Sequence, residues 1–122
     1  MPTKSFKQKV LELESMEIGW GSFTLKFKRD ISNSGDKCMG LTDFDKMEIL
    51  IDDTSSEQVQ RLTLIHEIWH VIFSTMGVRA DDEDNQVDLK ITNEFIVESA
   101  TRGLLLFKTL NPELWDLLYE QE

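Results

Sequence analysis

Cysteine is almost missing from this 122-residue chain. Cys38 stands alone, so no internal disulfide can form and nothing points to an oxidising compartment. Bases are also few. Thirteen Lys and Arg stand against 23 Asp and Glu, a formal net charge of −10. That argues against non-specific nucleic-acid binding, which relies on cationic side chains neutralising phosphates. It argues equally against an anionic membrane surface as partner. No apolar run approaches the ~20 residues of a membrane span. The opening MPTKSFKQKVLEL lacks the apolar core of a signal peptide, so an intracellular protein is expected. Internal repeats and low-complexity linkers are missing as well. Histidine occurs only twice.

What is present fits a folded domain. Apolar residues make up 40% and charged residues 30%, a globular composition, and the length suits a single domain over residues 1–122. The charge is uneven. Residues 1–37 carry seven bases and five acids, whereas residues 38–122 carry six bases and eighteen acids. The acidic part should attract cations or basic partners.

Strand-like patterns come first. Phe23, Leu25 and Phe27 alternate with polar residues over 22–28, the period of a half-buried strand. Met47, Ile49 and Ile51 repeat the pattern within 46–52, and Cys38–Leu41 suits a short strand. Lys4–Glu14 fits either a short helix or a strand. A small, mostly antiparallel sheet is expected, followed by three helices, in an α+β class.

Thr54-Ser55-Ser56-Glu57 matches the S/T-x-x-E capping box. Leu62, Ile65, Trp69, Ile72 and Met76 then recur at helical period, and Gly77 suits a C-terminal cap, predicting a helix over 55–76. Asp81–Asn85 reads as an acidic loop. A second helix is predicted over 93–110, with Val97, Ala100, Leu104 and Phe107 on one face. Asn111 is placed to cap a third, with Pro112 at its first position and Leu114, Leu117 and Leu118 on its buried side.

Both histidines fall in one motif, His66-Glu67-Ile68-Trp69-His70. Two histidines placed at random lie four apart in about 2% of arrangements, so the HExxH spacing carries weight. Residues four apart share a helix face, and both imidazoles can reach one ion. Glu67 lies about 100° around the helix from His66, where a carboxylate can touch a water on the open side of the metal. Hydrolytic zinc takes three protein ligands and keeps one position for water, whose pKa it lowers toward ~7. The third ligand must then be a carboxylate. Glu94 and Glu98, four apart on the second helix, share a face; acids of the loop at 81–84 are rivals.

His66-Glu67-Ile68-Trp69-His70 followed by Glu94 and Glu98 resembles the zincin metallopeptidases of the gluzincin type. Leu62-Thr63-Leu64-Ile65-His66, Gly103-Leu104 and Asn111-Pro112 extend the resemblance over roughly residues 40–118. It runs to the small single-domain branch of phages and mobile elements, related to the ImmA/IrrE family. The resemblance implies a minimal zincin-like fold and a Zn2+ held by His66, His70 and Glu94, with Glu98 hydrogen-bonding His66. It also implies Glu67 as general base in peptide hydrolysis, and action in the cytoplasm of a host cell. This sequence has Glu98 where the family pattern often has Asp. Zincins pair an extended peptide with a sheet edge, and the 46–52 strand is the candidate. The substrate class is a protein or peptide, and the suspected relatives act on repressors, so a basic DNA-binding regulator is an apt partner. Two rival readings stand beside this one: a zinc-stapled regulatory module that recruits a basic partner without cutting it, and a hydrolase of non-peptide amides.

Trp20, Trp69 and Trp115 are expected in the core or an interface, and Cys38 as a buried small residue. Arg79, Arg102 and Tyr119 are candidates to stabilise an oxyanion.

Overall fold

The computed structural model describes residues 3–77 and 93–119. The stretch at 4–14 contains a helix, α1 (Phe6–Leu13). Ser5 caps it by accepting from the Gln8 N–H, while the Gln8 side chain accepts from the Ser5 N–H. Phe6 and Val10, four apart, form its buried side.

Two strands follow, β1 (Ser15–Glu17) and β2 (Ser22–Lys28), paired antiparallel. Gly19 turns the chain between them at φ +93°, a left-handed conformation that side chains avoid. A small hairpin, β3 (Ser32–Asn33) and β4 (Asp36–Lys37), then leaves the sheet. Its two turn residues, Ser34 and Gly35, both have positive φ, as a type I′ turn requires. The chain returns as β5 (Gly40–Asp43) and β6 (Glu48–Asp52).

The sheet order is β1-β2-β6-β5. β5 and β6 form a hairpin, so they are antiparallel, and β6 inserts beside β2 in the parallel sense. The sheet is therefore mixed: two of its three pairings are antiparallel, in keeping with a mostly antiparallel sheet, and the β2–β6 pairing is parallel. Pair direction depends on where the chain re-enters the sheet, and alternation along a strand carries no trace of that. The candidate edge at 46–52 is corrected: β6 is paired on both sides, and β5 is the edge.

Asp52 ends β6 and organises the turn that follows. One carboxylate oxygen accepts from the Thr54 N–H and hydroxyl, the other from the Ser55 hydroxyl. These bonds, led by the Thr54 N–H, hold the Asp52 carboxyl below the usual range, against the opposing effect of its burial. Thr54 is thereby drawn back to Asp52, and the cap of α2 (Glu57–Thr75) passes to Ser56, whose hydroxyl accepts from the Val59 N–H. Glu57 accepts from the Phe6 N–H, tying the first turns of α1 and α2 together. Two more helices follow, α3 (Asn93–Leu110) and α4 (Pro112–Tyr119), giving an α+β fold with four helices among the described residues, one of them ahead of the sheet.

One sheet face, Phe23, Leu25, Ile49 and Ile51, joins Leu64, Ile68, Val71 and Ile72 of α2 in the core. Phe6, Val10, Phe107, Leu114 and Leu118 complete it from the other helices. The buried face of α2 is Gln60, Leu64, Glu67, Ile68, Val71 and Ile72. That differs from the stripe the apolar pattern suggested: Leu62 is 69% exposed. Two polar residues on the buried face, Gln60 and Glu67, displace the apparent stripe. The Gln60 amide donates to the Asp52 carbonyl.

α3 meets α2 through buried Gly103, where a methyl group would lie 2.2 Å from Ile72 Cγ2. Asn111, buried between α3 and α4, aims its side chain away from the helix it was expected to cap. Its Oδ1 accepts from the Glu17 N–H at 2.7 Å and its Nδ2 donates to the Glu17 carbonyl at 2.8 Å. Among the described residues no helix is long and apolar enough to cross a membrane.

Candidate metal centre

His66 and His70 lie one turn apart in the middle of α2 and turn the same ring atom toward each other. Their Nε2 atoms are 3.1 Å apart, with ring centroids 4.7 Å apart and planes at 79°. Two imidazole nitrogens that close on one helix face could hold a single ion between them. Such a donor set could take a transition-metal ion. His66 is exposed to solvent, and His70 is partly covered.

Glu67 lies around the helix on the buried side, 8% exposed. Its ligating oxygen and the two histidine nitrogens all fall within 4.8 Å of one another. A buried carboxylate needs a partner, and Thr42 supplies it. The Thr42 hydroxyl donates to Glu67 Oε1 at 2.9 Å; the Glu67 carbonyl oxygen is farther, at 3.4 Å.

The contact depends on how closely β5 lies to α2. A methyl on Gly40 would come within 2.4 Å of Thr63 Cγ2 and 3.1 Å of the Leu50 carbonyl oxygen. Gly40 faces Thr63, and Thr42 faces Glu67. Two strand residues advance about 6.6 Å and four helical residues about 6 Å, so strand and helix run in step. The same strand presents an open backbone edge. The Asp52 N–H donates to the Met39 carbonyl at 2.8 Å, which makes 39/52 a hydrogen-bonded pair. Alternation along the antiparallel ladder then turns the N–H and C=O of Gly40 and Thr42 outward. Among the described residues no strand pairs with that edge.

The structure does not bring the two carboxylates of the second helix into this group. Glu94 and Glu98 stand exposed in the first turns of α3, and every residue from 94 to 98 is exposed. Among the described residues the ligand group is His66, Glu67 and His70. Glu94 has a simpler role as well, since an acid in the first turn favours the positive end of the helix. The loop acids at 81–84 and Arg79 lie outside the described residues.

Arg102 is exposed, and the Tyr119 oxygen accepts from Trp69 Nε1 at 3.3 Å. Trp69 and Trp115 are half-buried beside the core, but Trp20 is 67% exposed on the β1–β2 turn, contrary to expectation. Cys38 is only partly covered, with its thiol toward the Asp36 carbonyl. Thr42 is the site residue that sequence reasoning missed. A Gly-x-Thr triplet in a short strand was its only trace.

Comparison with family models, with curated proteins and with solved structures returned no match. The site chemistry therefore stands by itself: a helix-borne histidine pair, an adjoining buried carboxylate and, alongside, a strand edge that no described strand pairs with.

Proposed function

We propose that the chain is a zinc-dependent metallopeptidase. The observation that carries this reading is the convergence of His66 and His70 Nε2 at 3.1 Å beside the Glu67 carboxylate. His66 and His70 bind the ion through Nε2. Glu94 is the proposed third ligand, with Glu98 as the hydrogen-bond partner of His66. Zinc held there supplies Lewis acidity and brings the pKa of water toward ~7. Glu67 accepts the proton of the attacking water and delivers it to the leaving amine. The scissile peptide lies extended along β5 and exchanges hydrogen bonds with the outward N–H and C=O groups of Gly40 and Thr42. A charge of −10 favours a basic substrate, and a DNA-binding regulator in the host cytoplasm suits it.

One observation favours a second reading. The bond from Thr42 to Glu67 would serve a purely structural carboxylate equally well. The protein would then be a zinc-stapled binding module that recruits a basic partner. Glu67→Gln separates the two, because the amide is nearly isosteric but takes no proton at neutral pH. Zinc content should be lost in His66→Ala and retained in Glu67→Gln. Cleavage of basic DNA-binding proteins should fall by about 10²–10⁴-fold in Glu67→Gln. Equal zinc in wild type and His66→Ala would sink the metal site. A partner that binds wild type and Glu67→Gln alike and is never cut would favour the binding module.

A further inference from the structure

We infer that Thr42 is a positioning residue that holds the Glu67 carboxylate off the metal and keeps one of its oxygens free as the proton acceptor. The inference rests on the metallopeptidase reading of the site and deepens it. Glu67 faces two competing attractions. Its ligating oxygen is within 4.8 Å of both histidine nitrogens, close enough for a small side-chain rotation to bring it onto an ion held there. The Thr42 hydroxyl opposes that rotation through a 2.9 Å bond to Oε1. A hydroxyl donating to a carboxylate makes a charge-assisted bond, stronger than a neutral one. It occupies Oε1 and leaves Oε2 for the water.

The backbone fixes the donor. Thr42 sits in a ladder with β6, and Gly40 lets the strand approach α2 until the hydroxyl reaches. A donor on an exposed loop would cost ordering entropy each time the bond formed, and here the strand has already met that cost. The same residue turns its backbone to the open edge, so substrate pairing with Thr42 and the set of Glu67 are linked through one strand position.

Cobalt(II) is the probe, because its visible spectrum reports coordination directly. The full-length chain, apo and checked for fold by circular dichroism, is titrated as wild type, Thr42→Val, Thr42→Ser and Glu67→Ala. A further sample combines Thr42→Val with Glu67→Ala. Wild type and Thr42→Ser should share one spectrum. Thr42→Val should depart from it as Glu67 joins the metal, and in the Glu67→Ala background the valine should change nothing more. Where a cleaved substrate is in hand, Thr42→Val should lower kcat about 10–100-fold with KM little changed. A Thr42→Val spectrum that superimposes on wild type overturns the positioning role while the metal centre stands. So does a Thr42→Ser spectrum as displaced as that of Thr42→Val. A wild type that takes up no cobalt removes the metal reading itself, and the inference with it. Should Thr42→Val not fold, Thr42→Ala, smaller and half-buried on an edge strand, serves with the same outcomes.

Discussion

The two neighbours of α2 meet the histidine motif in different ways. On one flank β5 is pressed against the helix, with Gly40 under Thr63 and Thr42 bonded to Glu67. On the other, α3 is pressed against α2 at Gly103, and its first turns with Glu94 and Glu98 stand exposed. The Glu67 carboxylate, the proposed general base, is thus held in place by the fold, while the proposed third ligand is not brought to it. On the proposed reading, a site divided in this way would make assembly of its ligand set depend on the ion, as metal binding and folding are commonly coupled.

The sharpest way to break the comparison is at the exposed flank. Glu94→Ala should abolish tight zinc binding. Glu98→Ala should weaken it by about 10–100-fold, the usual effect of losing a hydrogen-bond partner of a ligand. Competition with a chelator gives both values, and the opposite order would reverse the assignment. Hydrogen exchange sharpens the point. Amides in the first turns of α3 should gain protection on adding zinc to wild type, and gain none in Glu94→Ala.

Stability tests the pressed contacts. Gly103→Ala and Gly40→Ala each push a methyl into a neighbouring side chain, at 2.2 and 2.4 Å respectively. Each should cost about 1–3 kcal/mol by overpacking. Gly40→Ala should also disturb the Glu67 contact, and Gly103→Ala should leave it alone. Urea denaturation measures the first effect, and the cobalt spectrum distinguishes the second.

The smallest effect is expected at Asp52, which fastens the pressed flank from the end of β6. Its folded carboxyl is held below the ordinary value of 3.8. The stabilisation is therefore complete above that value, and it is lost as pH falls through the lower folded value. The urea midpoint of wild type should exceed that of Asp52→Asn at pH 6. The gap should narrow steadily as pH falls below the ordinary carboxylate range. A constant gap down to pH 2.5 would remove Asp52 as the source.

What was legible in the sequence was whatever local chemistry decides. The alternation of Phe23, Leu25 and Phe27 marked β2, and the 93–110 periodicity marked α3 with the bounds observed. The HExxH spacing placed both histidines on one helix face, and their Nε2 atoms do converge. The helix at α1 was open to recognition, since Ser5-Phe6-Lys7-Gln8 is itself a capping box, but its short apolar pattern fitted two periods. Choices settled at long range were not legible. The parallel pairing of β2 and β6 depends on the route through the β3–β4 hairpin. Thr54 looked like the cap of α2 because nothing local shows that Asp52 would claim it. The buried face of α2 was obscured because the polar Gln60 and Glu67 are buried on it while the apolar Leu62 is exposed.

Asn111 gives the sheet a handed growth rule. In the β1–β2 ladder the Leu25 N–H donates to the Glu14 carbonyl, which turns the N–H and C=O of Glu17 outward. The Asn111 carboxamide meets both and imitates the next strand of the sheet. Glu17 is thus covered at that end, while among the described residues no strand pairs with β5 at the other. A sheet open at both ends can add copies of itself without limit, the route by which edge strands seed aggregates. A side chain seated on one edge strand opposes such addition there. Growth by strand addition at β1 would first have to displace the Asn111 carboxamide from Glu17.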